Sequence, residues 1–141
     1  MQTDDRSTSE KLTVLSEAKA TGFAVWEALT VGREQWWPEM QFDPVVGSPV
    51  RETWFENGKE RSAVGQVIEV DPGRVLSFDW RELAWPAPLR VRFSIEDEGD
   101  RCKVAVTESG FESLANGTAL RTEHQAGWSY HLARLCRQAE R

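Results

Sequence analysis

The stretch at residues 124–140, HQAGWSYHLARLCRQAE, is the only long run in this chain with helical period. Leu120, His124, Gly127, Trp128, His131, Leu132, Leu135 and Ala139 recur at three- and four-residue steps and share one stripe. Arg134, Arg137, Gln138 and Glu140 fall outside it and can face water. Almost everything before this run alternates with strand period. An antiparallel sheet with one wet face needs a cover for its dry face. The spacing predicts a helix over residues 118–140 as that cover.

The preceding order is legible from turns. Residues 11–18, KLTVLSEA, read as a strand with Leu12, Val14 and Ser16 on one face. Thr21 is placed to cap a short helix whose buried side is Phe23, Val25, Trp26 and Leu29. A further helical turn over residues 33–37 stops at Pro38. Asn57-Gly58 marks a tight hairpin, Asp71-Pro72-Gly73-Arg74 a type II turn, and Glu98-Gly99-Asp100 a third turn. Between the turns, Leu76, Phe78 and Trp80 alternate. So do Leu89, Val91, Phe93 and Ile95, and Cys102, Val104 and Val106. The prediction is an α+β fold. It has about six to seven antiparallel strands, two short helices after the first strand, and a long final helix. Residues 1–10 read as a polar, disordered tail and 11–141 as a single domain.

The net charge of −6 argues against a nucleic-acid partner, which requires a basic footprint. No apolar run of spanning length and no leader-like start is read, so the expectation is a cytoplasmic protein without membrane contact. Cys102 and Cys136 have no metal-like spacing and suit a reducing compartment. His124 and His131 are the only histidines. Seven helical residues separate them by about 10.5 Å along the axis, too far to share a metal. No metal, cofactor or catalytic set is expected. The inward acidic candidates, Glu52, Glu69, Asp79, Glu82 and Glu108, form no acid–base pair by spacing, and Arg51, Arg81, Arg90 and Arg92 read as a solvated outer face.

Particular residues carry a family likeness. Val25-Trp26-Glu27-Ala28-Leu29-Thr30, Glu34-Gln35-Trp36-Trp37-Pro38, the track from Gly65 through Val70-Asp71-Pro72 to Leu76-Ser77-Phe78-Asp79-Trp80, Thr107 to Phe111, and Gly127-Trp128 stand in order. Together they resemble the START-like (SRPBCC) superfamily, in the branch similar to the activator of the heat-shock-protein-90 ATPase. The resemblance spans residues 11–137. Gly47-Ser48-Pro49 departs from the Gly-Gly usual in that branch. The likeness implies a helix-grip fold, a curved sheet wrapped round the last helix with a cavity between. Gly127 is expected where the helix backbone approaches the sheet.

Seven tryptophans against one tyrosine ask for a reason, because a buried indole needs a partner for its N–H. Trp36, Trp37, Trp54, Phe78, Trp80, Phe93, His124, Trp128 and His131 are the candidate ligand-binding residues, with one histidine anchoring a bound hydroxyl or carbonyl. Trp26 reads as core. Trp85, in the stiff loop Ala84-Trp85-Pro86-Ala87-Pro88, reads as an exposed lid or partner contact. The leading function is non-enzymatic binding of a small, largely apolar or aromatic natural product by a monomer or weak homodimer. The chain also looks like proteins of this fold that protect producers from enediyne antibiotics by sacrificing a glycine. Gly110 or Gly117 would be the place. The alternatives are a polyketide cyclase or aromatase, or a co-chaperone-like protein-binding module.

Overall fold

The computed structural model describes residues 11–141, so the expected tail at 1–10 lies outside the described residues. In chain order the elements are β1 (Lys11–Ala18), α1 (Gly22–Leu29), a 3-10 turn (Arg33–Gln35), β2 (Met40–Gln41), β3 (Pro49–Glu56), β4 (Lys59–Asp71), β5 (Val75–Glu82), β6 (Leu89–Asp97), β7 (Cys102–Ser109), a second 3-10 turn (Phe111–Ser113) and α2 (Gly117–Ala139). The strands form one antiparallel sheet in the order β1-β7-β6-β5-β4-β3-β2. This is the predicted α+β helix-grip architecture.

Hairpin chemistry sets the meander. Asn57 and Gly58 both have positive φ, as the two-residue turn between β3 and β4 requires. The register shifts between Val67 and Glu69, a bulge that adds twist where the long β4 curls. At Gly65, on the same strand, an added Cβ would lie 1.8 Å from the backbone oxygen of Asp79, so no side chain fits there.

The inner face follows the alternation. Leu76, Phe78 and Trp80 are buried, as are Leu89, Val91, Phe93 and Ile95, and Cys102, Val104 and Val106. The same period continues one step further on β7, to a fully buried glutamate, Glu108. Thr21 caps α1 by accepting from the Ala24 N–H. Two expectations for α1 fail. Phe23 is 72% exposed, and Trp26 is only half-buried at the core's edge. Gly22, Val25, Ala28 and Leu29 make the buried side instead, because so short a helix can turn only a narrow stripe inward.

On α2 the buried residues Leu132, Leu135, Cys136 and Ala139 lie in the C-terminal half. The helix packs on β1 and α1, with Arg121 reaching the Lys11 carbonyl near one end and Cys136 meeting Ser16 near the other. The middle of the helix, from His124 to His131, stands off from the concave sheet. Gly127 therefore contradicts its expected role: a Cβ there would meet nothing within 4 Å. It borders open space rather than touching the sheet. The glycine demanded by a close approach on this helix is Gly117, whose Cβ would lie 2.0 Å from the Phe111 carbonyl oxygen.

Candidate binding cavity

Where α2 stands off, a cavity of about 160 Å³ remains, lined by Glu52, Trp80, Glu123, His124, Gly127, Trp128 and His131. Strands β3 and β5 supply Glu52 and Trp80, and the helix supplies the rest. Behind them stands Glu108. Its Oε2 accepts the indole N–H of Trp80 at 2.9 Å. Its Oε1 accepts the indole N–H of Trp128 at 2.8 Å and lies 2.8 Å from Nδ1 of His124. Three donors from β5 and α2 thus converge on one carboxylate from β7. A buried carboxylate is tolerable only with such a set of partners.

The Trp80 and Trp128 rings lie 5.8 Å apart at 30°. Trp37, fully buried, meets Trp80 and Trp128 edge to face at 6.4 and 5.7 Å. Its N–H donates to Oε2 of Glu52 at 3.0 Å. Trp36 is buried beside it and donates to the Ala28 carbonyl at 2.7 Å. The tryptophan excess has a cause here: four indole N–H groups, those of Trp36, Trp37, Trp80 and Trp128, are each satisfied at the closed side of the cavity.

The two histidines are prepared oppositely. Burial works against charge on His124, but the hydrogen bond and negative charge of Glu108, with Glu123 and Glu82 adding, hold its pKa above the ordinary value. His131 has no such partner. Its ring stacks at 4.6 Å on Trp37, its Nδ1 is buried without a hydrogen bond, and burial pushes its pKa down to about 4. Burial also raises the pKa of Glu52, against the pull of the Trp37 hydrogen bond.

Of the nine expected site residues, Trp80, His124, Trp128 and His131 line the cavity. Trp37 packs directly behind them, and Trp36 lies beside it with its ring edge to face with His131 at 6.3 Å. Phe78 and Phe93 are core, touching Trp80 and Trp128 from beneath at 5.4 and 5.6 Å. Trp54 is half-buried on β3 and is not part of the lining. Trp85 is half-buried and leans back over His124, ring centroids 6.2 Å apart. Gly110 and Gly117 lie off the lining, while Gly127 is part of it. Sequence reasoning missed Glu108 as the organising group, although its place at the end of the Cys102, Val104, Val106 alternation puts it inside. Glu52 carries the same signal, two residues after the buried Val50. Among the described residues no group of three or more His, Cys, Asp or Glu is placed to hold a metal. No helix there is long and apolar enough to cross a membrane.

This sheet, helix and cavity define the helix-grip class of the START-like (SRPBCC) superfamily. Within it, the family model described as activator of Hsp90 ATPase homolog 1-like protein matches residues 19–140, and the chain belongs to that family. No curated protein matches it at a significant level. Among solved structures it is similar to DynU16, a protein of the dynemicin biosynthetic locus, with TM-score 0.74 and 22% identity over 91% of this chain and 46% of that one. The chain thus spans about half of DynU16. It is also similar to CalU16 from Micromonospora echinospora, with TM-score 0.71 and 20% identity over 92% of this chain and 75% of that one. The Zhui aromatase/cyclase from Streptomyces sp. R1128 has TM-score 0.72 and 17% identity over 93% of each chain. At these identities the likeness is one of fold.

Proposed function

We propose that this chain binds a small, largely apolar or aromatic molecule, without turnover, in the cavity between the sheet and α2. The observation that carries the reading is the cavity wall. Trp80 and Trp128 offer rings while their N–H groups are already engaged by Glu108, so stacking there leaves no indole donor stranded. The volume sets a scale. An apolar cavity of about 150 Å³ takes one benzene ring. The space here therefore suits one ring, or one end of a larger natural product. DynU16, which shares the fold, lies in a biosynthetic locus, and that setting fits a natural product as the ligand; sequestration or self-resistance is the purpose this reading assigns to its binding.

A second reading, a cyclase or aromatase, is favoured by one observation: the Glu108–His124 pair places a carboxylate-backed imidazole at the cavity. The likeness to Zhui adds support.

Titration with aromatic natural products, followed by tryptophan emission, tests both. Trp80→Phe is expected to weaken binding on the order of tenfold, while Trp26→Phe, away from the cavity, leaves it unchanged. If no aromatic compound quenches emission, or if both variants bind as wild type does, the binding reading fails. Turnover of a bound compound selects the cyclase reading.

A further inference from the structure

The Glu108–His124 pair does more than furnish a polar wall. Three N–H donors converge on Glu108, which is the arrangement of an acceptor-only carboxylate. The imidazole proton of neutral His124 is therefore held on Nδ1, and Nε2 carries a bare lone pair. Nε2 has no hydrogen-bond partner among the described residues. It is not a buried orphan either, since His131 Nδ1 is the only such atom among them. It is open to the cavity that His124 lines.

His131 has the opposite form. A buried N–H without an acceptor costs more than an unpaired lone pair, so its proton belongs on Nε2 and its buried Nδ1 stays bare. Toward the cavity His131 can donate but not accept. The other polar groups on the wall are the carboxylates of Glu52 and Glu123, and no lysine or arginine lines it among the described residues. The charged groups facing His124 are Glu108 from β7, Glu123 from α2, Glu82 at the end of β5 and Glu52 from β3, while Trp80, Trp85 and Phe111 present only rings. The local field is negative. It repels a bound anion and strengthens Nε2 as an acceptor.

We propose, resting on the aromatic-binding reading above, that the cavity recognises a ring-sized phenol or enol whose O–H donates a hydrogen bond to Nε2 of His124. Glu108 is the positioning residue. It fixes the tautomer and the ring orientation without touching the ligand. A hydroxyl, rather than a carbonyl or carboxylate, is the group this site selects. A hydroxyl can donate to His124 Nε2 and also accept from the His131 N–H, whereas an acceptor-only ligand can use only the His131 donor and leaves the His124 lone pair facing it beside two carboxylates.

Phenol, its methyl ether anisole, and benzoate form the test set. They are titrated at about pH 9, below the phenol range and set high because Glu108 holds the His124 pKa above its ordinary value, with the indole N–H NMR signals as readout. Phenol is expected to bind about tenfold more tightly than anisole, the value of one net hydrogen bond to a polar group otherwise left unpaired. Benzoate is expected to bind least. His124→Phe is expected to erase the preference of phenol over anisole. Should that variant fail to fold, the wild type alone decides. The preference must fall as the pH is lowered and His124 Nε2 gains its proton, because Nε2–H then donates to the oxygen of either compound. Equal binding of phenol and anisole, tighter binding of benzoate, or a preference that survives His124→Phe or acidification overturns the hydroxyl assignment and leaves the aromatic-binding reading standing. Failure of all three probes to bind overturns both.

Discussion

Trp80 donates its indole N–H to Oε2 of Glu108 at 2.9 Å, although 28 residues separate them in the chain. The bond ties β5 to β7 across the intervening β6. With the Trp128 and His124 bonds it makes Glu108 the joint between sheet and helix. Glu108→Ala strands three inward donors, two of them indoles that water cannot easily reach. The expected loss is about 3–5 kcal/mol in urea unfolding, the range for removing one partner of a buried charged set. Glu108→Gln, which keeps one acceptor oxygen, should lose less. A loss below about 1 kcal/mol for the alanine variant would mean that the three donors find other partners.

Two glycines separate close approach from open space. Gly65→Ala would drive a methyl into the Asp79 backbone and is expected to be severely destabilising, by more than about 3 kcal/mol, because backbone on both strands must shift. Gly127→Ala meets nothing within 4 Å. It is expected to stabilise the helix by about 0.5–1 kcal/mol, the ordinary propensity gain. Thermal melts of the two variants check the pair, and destabilisation by Gly127→Ala would place the helix against the sheet after all.

His131 should make the protein acid-sensitive. Its folded pKa lies at about 4, below the ordinary value of 6.5. Between those values the unfolded chain binds more protons, so stability is lost as pH falls from 6.5 toward 4. The full effect is about 3 kcal/mol by linkage. His124 works in the other direction. Its folded pKa is raised, so its contribution is complete below the unfolded value and is lost as pH rises through the folded one. Urea unfolding of wild type and His131→Phe from pH 7 to pH 4 isolates the first term. The variant should show the shallower decline, and parallel curves would refute the assignment.

Trp85 leans over His124 from the β5–β6 loop and is only half-buried. Trp85→Ala should therefore change ligand affinity several-fold while shifting stability by less than about 1 kcal/mol. Calorimetry with any ligand that quenches tryptophan emission checks the first part and a thermal melt the second. A large loss of stability with unchanged binding would make the ring a core element instead.

Much of the fold was legible because its signals are local. Asn57-Gly58, the alternation in β5 to β7 and the stripe on α2 each act over a few residues, and each predicted its element. The stripe also placed His124, Trp128 and His131 on the inward side. The alternation through Cys102, Val104 and Val106 even pointed Glu108 inward, but an inward glutamate has no meaning until its partners are known.

Those partners were decided by tertiary structure. The Trp80 and Trp128 donors reach Glu108 only after the sheet curls and the helix crosses it, and sequence spacing carries no trace of that meeting. The same holds for Gly127. Its small size suggested contact, whereas the curvature of the sheet leaves a gap there; the close approaches fall instead at Gly65, against the neighbouring strand, and at Gly117, against the Phe111 turn that precedes the helix. In β5 to β7 and along α2 the chain by itself determined which residues face inward, because strand and helix periods are properties of the local backbone, while the short α1 was too brief for its period to fix its buried side. Which inward residues touch, and which border a cavity, depended on how a straight helix lies across a curved sheet.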